Sequence, residues 1–132
     1  MNVPKKKFEN YKNALARLQE GMSQYDGEND LSRDGLIQRF EFTFELAWKT
    51  LKAIFENEGL TGINSPKTVL REAFSAGLIE DDELWLAMLN DRNSTVHIYS
   101  EKLAIEICNN VQGKYINEFG KLAEKLEIRI ID

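Results

Sequence analysis

Apolar residues recur along most of this chain at steps of three and four, the spacing at which side chains share one face of an α-helix. Phe8, Tyr11, Leu15, Leu18 and Met22 mark an amphipathic helix from about residue 4 to residue 24, with Pro4 suited to its first turn. The stretch from Tyr25 to Arg33 is rich in turn formers and poor in apolar residues, so it reads as a loop. Asp34 to Glu58 carries the longest pattern: Ile37, Phe40, Phe44, Ala47, Trp48, Leu51, Ile54 and Phe55 fall within one broad stripe. Phe42, Leu46 and Ala53 lie nearly opposite, beside Glu45, Lys49 and Glu56, which gives this helix a second apolar side. Either a neighbouring helix of the same chain or a second subunit would cover it, and periodicity does not say which.

Gly59 stands where a C′ glycine ends a helix. Ser65-Pro66 then serves as N-cap and first residue of a short helix with Val69, Leu70, Ala73 and Phe74 inward, closing at Gly77. Asp81-Asp82-Glu83 places negative charge at the start of the next helix, which runs through Leu84, Trp85, Met88 and Leu89. Three adjacent carboxylates suggest a metal site, but consecutive helical residues do not share a face, and complementing the helix dipole accounts for them. The last helix starts between Ser94 and Ser100 and reaches about Leu126, with Ala104, Ile107, Cys108, Val111, Tyr115, Phe119, Leu122 and Leu126 inward. The tail from Arg129 docks on the bundle or on a partner. With no repeat and no convincing strand, the expected fold is all-α: an antiparallel up-and-down four-helix bundle with one additional short helix, in a single domain over residues 1–132.

Composition narrows the function. The net charge of −5 argues against a protein that coats nucleic acid through a basic surface, so any nucleic-acid chemistry has to sit in a local cleft. No apolar run approaches the roughly 18 residues of a membrane span. Met-Asn-Val-Pro-Lys-Lys-Lys has no apolar stretch behind it, so no secretory signal is expected and the cytoplasm is the expected location. One cysteine and one histidine exclude an intramolecular disulfide and a Cys/His zinc site within one chain, and Cys108 reads as a small buried hydrophobe. No metal and no cofactor is expected.

The segment Arg92-Asn93-Ser94-Thr95-Val96-His97-Ile98-Tyr99 lies between two helices and holds the single histidine. Helical angles put Arg92 on the apolar face of the preceding helix, where a cation needs a partner. If the last helix is extended backwards, His97 falls on its inward stripe, so both groups would face one groove. Arg is a planar, permanently charged phosphate binder and His titrates near neutrality, which suits RNA cleavage without a metal. Asn93 could hydrogen-bond phosphate, and Glu101, one turn after His97, could orient its ring. The plainer alternative is a packing or capping histidine, with Arg92 in an ion pair to Glu41 or Glu45.

Arg92, four intervening residues, His97, one residue, Tyr99 resembles the R-x4-H-x-Y motif of the HEPN (higher eukaryotes and prokaryotes nucleotide-binding) family, and specifically its HepT branch of nucleotidyltransferase substrate-binding proteins. The long-helix segment from Ile37 to Lys49 is similar to the same branch, and the resemblance spans nearly the whole chain. It implies a homodimeric bundle acting with a small, MntA-like nucleotidyltransferase encoded alongside, as a toxin and antitoxin. It further implies that Arg92 and His97 are catalytic in a metal-independent ribonuclease and that Tyr99 is where the partner attaches adenylate. A non-catalytic subunit that presents a nucleotide or other substrate to the nucleotidyltransferase is the second function the resemblance allows.

Overall fold

The computed structural model describes residues 3–95 and 100–130. Its elements are α1 (Val3–Gln24), α2 (Asp30–Asn57), α3 (Pro66–Ser75), α4 (Asp82–Ser94), α5 (Glu101–Asn110), a π-turn (Val111–Tyr115) and α6 (Ile116–Arg129). The last three form one continuous rod. Tyr11 of α1 meets Phe119 of α6, Phe40 of α2 meets Tyr115 and Phe119, and Trp85 of α4 meets Phe44 and Phe119. Arg33 meets Glu101 and Glu58 meets Arg129, so α2 runs parallel to the α5–α6 rod. Arg39 meets Arg17 and Thr43 meets Ala14, and Trp85 meets Glu118 and Asp91 meets Asn110, so α1 and α4 run antiparallel to both. This is the up-down-up-down bundle with α3 as its extra short helix.

The core is organised on those aromatic rings. Trp85, Tyr11, Phe40, Phe44 and Phe119 are almost fully buried, and one ring from each long helix touches another at centroid distances of 5.5–6.4 Å. Among the described residues, every buried side-chain nitrogen and oxygen has a hydrogen-bond partner. The Tyr11 hydroxyl donates to the Phe119 carbonyl at 2.7 Å, and Thr43 and Thr50 donate to carbonyls one turn earlier in α2. Cys108 is buried, with its thiol 3.8 Å from the Arg33 carbonyl, and burial pushes that thiol up to about 11.

Helix ends follow their local chemistry. Gly59, at φ 97°, closes α2: Leu60 N–H bonds the Phe55 carbonyl and Gly59 N–H bonds that of Glu56, a pattern that requires the left-handed conformation. Ser65 and Asp81 cap α3 and α4 by accepting from Thr68 N–H and Leu84 N–H. The acidic run before α4 is thus an N-cap followed by first-turn charge.

Four details differ from the expectations. α2 begins at Asp30, not Asp34, because Asn29 accepts from Ser32 N–H and starts the helix a turn earlier; the loop shrinks to residues 25–29. Phe74 is 45% exposed, since Val69, Leu70 and Ala73 already fill the inward side of α3 and Phe74 is turned a further step around it. The second apolar side of α2 divides: Ala53 is buried within the chain, Leu46 is half-buried, and Phe42 stands 60% exposed. Finally, the last helix contains a π-turn, closed by Ile116 N–H on the Val111 carbonyl.

Candidate functional site

The last turn of α4 carries Arg92 because Trp85 and Met88, seven and four residues earlier, are buried on the same face. At the bundle's edge that face runs out of apolar neighbours and meets α2. Arg92 Nη2 lies 3.3 Å from Glu45 Oε1, with both side chains about 30% exposed. Glu45 is itself held: its Oε2 accepts from Trp48 Nε1 at 3.0 Å and lies 3.7 Å from Lys49 Nζ. The partner named for Arg92 in the plainer alternative is therefore present, and it leaves the Arg92 side chain partly exposed. A guanidinium has five N–H donors, so one carboxylate does not saturate it.

Around this pair the chain is pinned on both sides. The Thr95 hydroxyl has two acceptors within reach, the Glu41 carboxylate and the Arg92 carbonyl oxygen 2.7 Å away. On the opposite side, Asp91 Oδ2 accepts from the Tyr115 hydroxyl at 2.6 Å and from Asn110 Nδ2 at 3.2 Å. Burial, with the Asp91 carboxylate next, pushes the Tyr115 phenol well above its ordinary range.

Beyond Thr95 a cleft of about 410 Å³ opens between the first half of α2 and the start of α5. Its described walls include Arg33, Asp34, Glu41, Thr95, Glu101 and Ala104. Arg33 is 5% exposed, with Nε donating to the Tyr25 hydroxyl at 2.9 Å and Nη1 lying 3.5 Å from Glu101 Oε2. The hydrogen bond to Tyr25 is the main reason its guanidinium holds its proton above the ordinary value. Arg33 was missed in the sequence although a signal existed: it precedes Ile37, Phe40 and Phe44 at the same helical spacing, and the loop assigned to residues 25–33 hid it.

Of the residues singled out by sequence, Arg92 joins Glu45, Asn93 is exposed on the outer side of α4, and Glu101 is exposed and paired with Arg33. His97 and Tyr99 lie outside the described residues, and so does the expectation that Arg92 and His97 share a groove. α5 starts at Glu101, where Ser100 adopts extended backbone and caps Leu103 N–H, so helical angles cannot be carried backwards past residue 100.

Residues 6–128 match the nucleotidyltransferase substrate binding protein like family. The chain is a HepT-like member of that family. A Haemophilus influenzae protein described as probable ribonuclease HepT is 33% identical to it over 99 residues, spanning 72% of this chain and 67% of the relative. Among solved structures, a Thermus thermophilus protein superposes with a TM-score of 0.73 at 39% identity, covering 92% of this HepT-like chain and 99% of its own. A chain in a mutant MntA–HepT toxin–antitoxin structure superposes with a TM-score of 0.80, covering 97% and 99%. At 17% identity that second likeness concerns the fold alone.

Proposed function

We propose that this HepT-like protein is the toxin of a toxin–antitoxin pair: a metal-independent endoribonuclease that works as a homodimer and is silenced when a small MntA-like nucleotidyltransferase adenylylates Tyr99. The observation that carries this reading is the partly exposed Arg92 side chain, braced by Glu45 at the end of α4, five residues before the chain's one histidine. The Haemophilus relative's description as a probable ribonuclease supports it.

In this mechanism His97 takes the proton of the ribose 2′-hydroxyl, the 2′-oxygen attacks the adjacent phosphorus, and the 5′-oxygen leaves as it gains a proton. Arg92 holds the charge that builds on the phosphorane oxygens. Asn93 and Glu101 flank the segment as substrate-binding groups. One histidine cannot readily act as base and acid in the same step, so a two-fold dimer that brings a second His97 into the cleft completes the pair. An adenylate on Tyr99 would place a phosphate charge and a base beside the cation that RNA phosphate needs.

Cleavage of RNA by the wild type with chelator present, lost in Arg92→Ala and His97→Ala, is the expected result; equal cleavage by His97→Ala would assign the activity to a contaminant. Incubation with the nucleotidyltransferase and ATP should add adenylate mass to the wild type and none to Tyr99→Phe. Modification at Tyr11, Tyr25 or Tyr115 would overturn the switch.

A second reading, a binding subunit that presents a nucleotide or other substrate to the nucleotidyltransferase, is favoured by the net charge and by the carboxylates of Asp30, Asp34, Glu41 and Glu101 around the cleft. It predicts no cleavage by any variant.

A further inference from the structure

The π-turn in the last rod, besides burying Val111 and Tyr115, brings two side chains onto one carboxylate. Asn110 and Tyr115 are five residues apart, and at 100° per residue an uninterrupted α-helix would point them about 140° away from each other. Instead both donate to a single atom, Asp91 Oδ2, at 3.2 and 2.6 Å. The wider turn from Val111 to Tyr115, closed by the Ile116-to-Val111 bond, is what lets them converge. Such turns are rare and occur frequently at functional sites.

The residue they grip is the neighbour of Arg92. Asp91 also holds the last turn through its backbone, since its carbonyl accepts from Thr95 N–H at 3.2 Å. Consecutive residues on a helix face different ways, so Asp91 is held from the α5–α6 rod while Arg92 and Thr95 are held from α2 by Glu45 and Glu41. Grips on two sides fix both the rotation of this turn about its axis and its distance from α2. The fully buried anchors of α4, Trp85 and Met88, lie earlier in the helix, and Leu89 is partly buried against the core, so the polar grips add to an apolar hold.

We infer that Asp91, clamped by Tyr115 and Asn110 across the π-turn, is a positioning residue that sets where the Arg92 guanidinium meets the substrate phosphate. The inference rests on the ribonuclease reading for its kinetic consequence but not for its geometric one. Misplacing a charge-stabilising group by about 1 Å costs on the order of 100-fold in rate. Tyr115→Phe keeps the ring and its stacking on Phe40 at 5.5 Å, and removes only the hydroxyl.

The test uses the full chain and four proteins: wild type, Tyr115→Phe, Arg92→Lys and the double variant. Tyr115→Phe should lower kcat for RNA cleavage by about 10- to 100-fold with KM nearly unchanged. In the Arg92→Lys background, which keeps a cation and so some cleavage but lacks the planar fork that is being aligned, it should cost no more than about twofold. Losses that multiply in the double variant would show that Tyr115 acts on general stability and would overturn the inference. The Arg92 Nε resonance in nitrogen-15 NMR, sharp in the wild type and shifted or broadened in Tyr115→Phe, reads the same positioning without RNA. An unchanged resonance overturns the inference even if RNA is cut. A shifted resonance in a protein that cuts no RNA upholds the clamp and rejects the ribonuclease reading. Should Tyr115→Phe lose its helical signal, Asn110→Ala, at a half-buried position, takes its place in the same comparison.

Discussion

Arg92 shows how far a single residue can be read from spacing. Its place on the Trp85–Met88 face and its need for a carboxylate partner were both legible, since a helix carries a side chain's direction with it. What decides its role, the position of His97, was not, because the helical register that would have placed it ends at the Ser100 cap. Two other residues give clean tests. Tyr11→Phe removes one buried hydrogen bond to the Phe119 carbonyl and should lower stability by about 1 kcal/mol in urea unfolding. Cys108 and Tyr11 are both raised by burial in the folded chain, Cys108 to about 11. A group whose folded pKa exceeds its unfolded value, about 8.5 for a thiol, contributes stability that is complete below that value and is lost as pH rises toward the folded one. Unfolding free energy should therefore fall between about pH 8.5 and 11, and less steeply in Cys108→Ala; an equal slope in that variant would contradict the assignment.

At the scale of elements, the turns signalled by Gly59, Gly77 and Ser65-Pro66 were read correctly because each rests on one local backbone requirement. The start of α2 was not, since Asn29-Asp30-Leu31-Ser32 contains loop formers that also make good N-caps, and only the structure shows Asn29 accepting from Ser32 N–H. Asn29→Ala should cost about 1 kcal/mol. It should also loosen Arg33 from Tyr25, seen as faster amide exchange over residues 30–34; unchanged exchange would mean the cap carries no weight. The π-turn was invisible for a different reason. Val111, Tyr115 and Phe119 are spaced by four and four, which a long α-helix tolerates, so the pattern alone cannot distinguish a drift from an inserted residue.

For the molecule as a whole, the bundle was readable because four long amphipathic stretches with few loops admit few packings. The partner surfaces were not. Phe42 stands exposed on α2 in the helical turn that also bears Glu41 and Glu45, so a second copy covering it would lie against the Arg92 edge. Phe42→Glu should therefore shift a dimer to monomer in light scattering at micromolar concentration and reduce RNA cleavage with it; a wild type that is already monomeric would remove the two-copy site. The central claim is transesterification without a metal at Arg92 and His97, and the ends of the cut RNA report it most directly. With chelator present, fragments made by the wild type should carry 2′,3′-cyclic phosphate and 5′-hydroxyl ends, and these should be absent with His97→Ala; 3′-hydroxyl and 5′-phosphate ends, or identical ends from His97→Ala, would contradict it.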